Sequence, residues 1–239
     1  MVKFERKQSL LLLLSLYAIV LVGMYKALNL GPLDPGLLRW EGDPMRQGYK
    51  IFFFSMQNAA VTYLAFLVLL VGSVMYLRTK EWRWDAIASS SAKLGIVFCT
   101  ILLLNGAIFS NLAWGAYWNW DPRQTTTLVL WFILAAYLSL RAALEDEETK
   151  ARLSAILGIF GFVGVPLTHI SATIWRSNHP QLYGETPFKL GSSGLLAFML
   201  MLLGALILYA YLLWLSIELK KLGKGCRALN QLAKSSDRQ

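Results

Sequence analysis

Trp114-Gly115-Ala116-Tyr117-Trp118-Asn119-Trp120-Asp121-Pro122-Arg123-Gln124 separates two apolar runs and carries three of the chain's nine tryptophans. Its second half has the pattern of a helix start. Asp121 is at the N-cap, Pro122 at the first helical position, where the missing N–H is no loss, and Gln124 three residues after the cap. The stretch therefore reads as a rigid polar-aromatic loop leading into a helix. Each indole adds flat apolar surface and one N–H donor, which suits either the headgroup layer of a bilayer or a large planar ligand. An aromatic belt accounts for one or two such tryptophans but imposes no order on them, and here the order is Trp-Gly-x-x-Trp-x-Trp-Asp-Pro-Arg.

Outward from this loop the chain is mostly lipid-soluble. Of its 239 residues 56% are hydrophobic and 15% charged, a composition of the polytopic membrane class. Backbone amides in hydrocarbon must be paired within the segment, so the expected fold is all-α. Apolar runs at about residues 9–28, 51–77, 86–108, 125–140, 153–174 and 190–217 predict six transmembrane helices in one membrane domain covering 1–239, with an outer loop at 109–124. The first run follows Lys3, Arg6 and Lys7. It reads as a retained anchor rather than a signal peptide, because it is long and no A-x-A-like site follows. Glycines and prolines at 31, 32, 35, 36, 42 and 44 predict a loop over 29–50.

Six spans place both termini on one side. The termini and the turns at 78–83 and 141–152 hold fifteen Lys and Arg, whereas the opposite loops hold seven. The positive-inside rule makes the termini cytoplasmic and puts the tryptophan loop and the 176–189 segment together on the outer face. The net charge of +9 is thereby a matter of topology and lipid, and no nucleic acid is expected as a partner. Cys99 and Cys226 form no C-x-x-C, so neither a thioredoxin-like motif nor a covalent haem-attachment pair is present.

Both histidines, His169 and His179, fall in or just before the second outer segment. Neutral imidazole ligates haem iron, the porphyrin faces suit flat aromatic surface, and propionates suit cations or backbone donors. Trp114, Trp118 and Trp120 are candidates for an aromatic shelf. Arg123, with the helix N-terminus, and Arg176 are candidates for propionates. Headgroup snorkelling of the arginines and a neutral His169 bonded to a neighbouring helix remain open alternatives.

The order of residues in the loop resembles the WWD signature of haem-handling membrane proteins of cytochrome c biogenesis. The length and layout are similar to the cytochrome c maturation protein C, or haem exporter protein C (CcmC), type, and the CcsA-type synthetase subunits share the Trp-Asp-Pro stretch. The resemblance runs on to Arg141 and reappears at Val165-Pro166-Leu167-Thr168-His169-Ile170-Ser171 and Ile174-Trp175-Arg176-Ser177-Asn178-His179. It covers the second half of the chain well and the first half mainly by layout.

The resemblance implies a non-enzymatic protein of a bacterial or archaeal cytoplasmic membrane. Such a protein holds haem b transiently and non-covalently at the outer face and delivers it to a haem chaperone or apocytochrome. ABC transporter subunits and a small single-span subunit are the other implied partners. Trp114, Trp118, Trp120, Asp121, Arg123, His169, Trp175, Arg176 and His179 are the implied cofactor-binding residues, with His179 as the axial ligand. The family's second axial histidine, at the start of the second span, is absent here. The corresponding stretch is Phe53-Phe54-Ser55-Met56-Gln57-Asn58, with Ser55 at the matching position and Met56 as a substitute thioether ligand. His169 is the other candidate. One half of a CcsA-type haem lyase is the first alternative. A structural or electron-transfer membrane subunit is the second, although two stacked bis-histidine haems would need four ligands in the spans.

The basic count generates the first prediction. A reporter fused after Gln239 is expected to be active in the cytoplasm, and one inserted near Asn119 outside. An outside C-terminus would overturn the shared outer site as well.

Overall fold

Lipid offers backbone groups no partners, and every described element is accordingly a helix. The computed structural model describes Ala18, Val22, residues 45–175, Ser177 and residues 192–236. In chain order these form α1 (Met45–Thr79), α2 (Trp82–Trp114), α3 (Pro122–Ala143), α4 (Glu147–Gly161), α5 (Gly164–Ile174) and α6 (Ser192–Ser236). Five stretches are long and apolar enough to cross a bilayer: Phe54–Thr79, Trp82–Trp114, Pro122–Ala143, Glu147–Ser171 and Leu195–Leu229. The expected first span, 9–28, lies outside the described residues except for Ala18 and Val22, which are helical.

The helices outrun the apolar runs that announce them. α1 begins at Met45, inside the expected 29–50 loop. α2 continues to Trp114, so the outer loop contracts from the expected 109–124 to the few residues between Trp114 and Pro122. α6 passes residue 217, the expected end of the sixth span, and ends at Ser236. Hydropathy reports what lipid accepts, whereas helical hydrogen bonding continues through Lys, Arg, Leu and Ala wherever propensity allows. At 45 residues α6 is about 67 Å long, more than twice the ~30 Å hydrocarbon core.

The expected 153–174 span is two helices in one apolar path. Pro166 has no N–H to give the Phe162 carbonyl, which accepts instead from Val165 N at 3.0 Å. Phe162 N and Val163 N likewise reach back three residues, to Ile159 O and Phe160 O. This tightened step between α4 and α5 keeps right-handed dihedrals and therefore direction.

Association of helices in lipid rests on close packing and interhelical hydrogen bonds. α2 presents Ala86, Ala88, Ser89, Ser90, Ser91, Ala92 and Gly95 as buried small residues. Against this face Ser91 Oγ donates to Ala65 O of α1 at 2.7 Å and shares a 2.7 Å bond with Tyr209 OH of α6. Ser216 bonds Ser90 at 3.0 Å, and Lys220 Nζ donates to Ser89 Oγ and Ala86 O at 2.7 and 3.1 Å. α1 and α2 form the centre. α6 packs on both, α4 packs chiefly on α1 and α3, and α5 on α3. At the end away from the tryptophan loop, Arg141 holds Asp85 in a two-pronged pair at 2.6 and 2.9 Å.

Gly161 shows how close the approach is. A Cβ there would lie 2.6 Å from Ile133 Cγ2, an atom fixed by a stiff β-branched side chain in a helix. Gly161→Ala gains up to ~1 kcal/mol of helix propensity and loses about 1–3 kcal/mol to overpacking, so net destabilisation is expected in unfolding of the purified protein. Gly106→Ala, where nothing lies within 4 Å of the added atom, should be neutral or stabilising. Equal behaviour of the two variants would contradict the close contact.

Candidate functional site

α2 ends by a left-handed cap: Gly115 at φ 75° returns its N–H to Asn111 O at 2.9 Å. Ser110 Oγ holds the chain just beyond, donating to Ala116 O at 2.6 Å. Trp114 is still helical and half-buried, with its ring edge-on to Phe109 at 5.5 Å. Trp118 is half-buried and stands perpendicular to Trp120 at 5.8 Å and 89°, so the indoles form a corner rather than one flat shelf. Trp120 is 72% exposed and sits at φ 58°. A left-handed conformation costs a non-glycine residue roughly 1–2 kcal/mol and persists when its surroundings impose it.

Those surroundings are the hydrogen bonds on either side of it. Asn119 Oδ1 accepts from Asp121 N at 3.1 Å, closing an Asx turn around Trp120. Asp121 is 5% exposed, and its Oδ1 accepts from Arg123 N at 2.9 Å, the expected N-cap. Its Oδ2 accepts from Ser177 Oγ at 2.7 Å, 56 residues along the chain. One buried carboxylate thus starts α3 and binds the segment that leaves α5. One turn deeper Thr126 Oγ1 lies 3.4 Å from Ser171 Oγ, a second link between the same helices.

The expected reciprocal cap by Gln124 does not form, because Asn119 already takes the Asp121 N–H. Gln124 is buried toward α2, with Nε2 3.5 Å from Gly106 O. The Asp121 carboxylate also occupies the N-terminus of α3, where a propionate was expected beside Arg123. Arg123 is half-buried, and its charge is within electrostatic reach of Tyr63 on α1.

Gly106 is about two turns below Trp114, so the loop folds back before α3 starts. The α1–α2 pairing is antiparallel and level at Ala65 with Ser91 and Gly95. Ser55 and Met56 therefore fall within about two turns of the depth of Gln124. Met56 is half-buried. Ser55 Oγ and Gln57 Oε1 beside it in the chain, and Gln124 Oε1 on α3, are buried without a hydrogen-bond partner among the described residues, as are Ser73 Oγ, Trp84 Nε1, Tyr137 OH and Ser154 Oγ elsewhere in the bundle. Such groups cost about 1–3 kcal/mol each when left unpaired.

Trp175 ends α5 in an extended conformation, 49% exposed. Two residues of chain span at most about 7 Å, so the Ser177 bond keeps the Trp175 backbone within that reach of the residue bound to Asp121. His169 lies on an exposed side of α5, while its neighbours Thr168 and Ser171 are fully buried. Arg176 and His179 lie outside the described residues. The structure therefore joins Asp121, Arg123 and Ser177 directly and pairs Trp118 with Trp120 in the same loop, with Trp175 two residues before Ser177 and Ser55 and Met56 at a nearby depth. Among these, Ser177 escaped the sequence reading because a contact over 56 residues leaves no local pattern. Asn119 was legible in principle, since Asn-x-Asp is an Asx-turn pattern.

Residues 2–231 match the family model described as heme exporter protein C. The heme exporter protein C of Bradyrhizobium diazoefficiens is 32% identical over 142 residues, 57% of this chain and 53% of that protein. That of Rhodobacter capsulatus is 29% identical over 127 residues, 53% and 52% of the two chains. The cytochrome c biogenesis protein CcsA of Platanus occidentalis is 44% identical over 83 residues, 35% of this chain and 23% of that protein. The matched part thus spans about half the length of the heme exporter relatives.

Proposed function

The chain belongs to the heme exporter protein C family of cytochrome c biogenesis, and on that footing we propose that it holds haem at its outer end and hands it on. The observation that carries this reading is the exposed aromatic corner directly above the start of α3. Trp120 and Trp175 offer indole surface to a planar ligand, and Arg123 offers a cation while Asp121 already fills the helix N-terminus. A porphyrin is planar, apolar on both faces and anionic at one edge, which this arrangement of residues suits. Bound haem b would supply the iron. The chain's own residues grip the macrocycle, bind a propionate at Arg123 with Arg176 as the second cation, and present His179 as a neutral imidazole.

The proposal includes six spans with cytoplasmic termini, so that both aromatic segments face outward in a bacterial cytoplasmic membrane. The archaeal alternative has no support among the relatives named. A haem chaperone or apocytochrome is the proposed acceptor, with ABC transporter subunits and a small single-span subunit as proposed companions. The absence of a covalent haem-attachment pair in the sequence favours non-covalent, transient holding. The higher identity to a CcsA protein over a shorter stretch favours one second reading, a subunit of a haem lyase. Thioether-linked cytochrome formed by this chain with a single partner would support that reading.

The absorption spectrum of the purified protein tests the proposal. Haem is expected to co-purify or bind on addition, and His179→Ala should remove the imidazole-ligated spectrum. Trp118→Ala with Trp120→Ala should lower occupancy while the protein stays in the membrane. Unchanged haem content would return both tryptophans to the aromatic belt.

The second axial ligand is tested separately. If Met56 ligates, Met56→Leu should convert low-spin iron to high-spin, since losing a thioether opens one axial position. Ser55→His places imidazole at the family's position and should produce a bis-histidine spectrum with slower release. An unaltered spectrum in Ser55→His would mean that this face of α1 does not meet the iron.

A further inference from the structure

Asp121 is a buried carboxylate with its two oxygens directed to different parts of the chain. Oδ1 accepts from Arg123 N and fixes the first turn of α3, and Oδ2 accepts from Ser177 Oγ and fixes the chain beyond α5. A hydroxyl bonded to an ionised carboxylate is roughly twice as strong as a neutral pair. At 5% exposure, water does little to replace it. A second tie among the described residues, Thr126 to Ser171, is long at 3.4 Å and lies deeper. The Ser177 bond is the stronger of these two, and Trp175 lies between them in the chain.

We infer that Ser177 is a positioning residue for haem retention, a latch that works through Asp121. The inference rests on the reading of this outer end as a haem site. The latch holds the Trp175 segment on the side of the Trp118–Trp120 corner, so that aromatic surface from both outer segments meets the same ligand. Ser177 therefore acts on haem by holding an aromatic wall in place, and it does not itself need to touch the ligand.

The test uses the full chain, purified and titrated with haemin by its Soret absorbance. Ser177→Ala is expected to weaken binding about tenfold or more, the loss typical of one hydrogen bond to a charged group. Ser177→Thr, which keeps the hydroxyl, should restore it. Loss of binding that Ser177→Thr does not restore would reduce Ser177 to a packing role and overturn the latch. Haem binding by Ser177→Ala as tight as that of the parent overturns the latch.

A second measurement reads the latch without haem. In a Cys226→Ser background, Cys99 is buried, so a thiol reagent reports on Ser177→Cys alone. With the thiol of Ser177→Cys standing in as the donor to Asp121, labelling compared at equal thiolate fraction from its pH profile should accelerate severalfold when Asp121→Ala is added. Unchanged labelling rates overturn the latch even if the parent binds haem. Faster labelling with no haem binding by the parent leaves the latch standing and removes the haem reading instead.

Discussion

The bundle depends on the small-residue face of α2. Because lipid is as apolar as the side chains it would compete with, burial of leucines does not hold these helices together. Ser89, Ser90 and Ser91 allow close approach and supply hydroxyls to Ala65 O, Tyr209, Ser216 and Lys220 at 2.7–3.0 Å. With α1 and α6 seated on that face, α3 docks through Trp131 Nε1, which donates to Thr100 Oγ1 at 2.8 Å, and through the Asp85–Arg141 pair. The level at which α1 and α2 meet then determines the depth at which α3 must start.

From that fixed depth the outer end follows. α2 is longer than α3, so the connecting loop has to turn back on itself. The turn is made by Gly115 at one end and by the Asn119–Asp121 Asx turn at the other, with Trp120 held left-handed between them. Strain at Trp120 is balanced by the bonds on Asp121, and the exposed indole is the result. An aromatic ring displayed to the outside at a conformational cost differs from a belt tryptophan, which needs no such backbone. The Asp121 carboxylate links this loop to the segment beyond α5, so the two ends of the proposed haem site are mechanically one piece.

How much of this was legible in the sequence varies with the range of the interaction. Asp121 as N-cap and Pro122 at the first helical position were readable because capping is a contact over two residues. Gln124 was misread for the same reason: its spacing fits a capping box, but its side chain is drawn to Gly106 on another helix. The break before Pro166 follows from proline chemistry, yet hydropathy merged α4 and α5 into one span because both are apolar.

The sequence by itself determined the membrane class, the helical fold, the aromatic loop and the family, since hydropathy, capping and residue order are properties of short stretches. Only the tertiary structure decided which groups meet. It stood Trp118 perpendicular to Trp120, drew the Gln124 side chain to Gly106, and put Ser177 on Asp121 across 56 residues. Those outcomes depend on where α1, α2 and α5 stop relative to one another. That is set by packing between helices far apart in the chain, for which no local pattern in the residues stands.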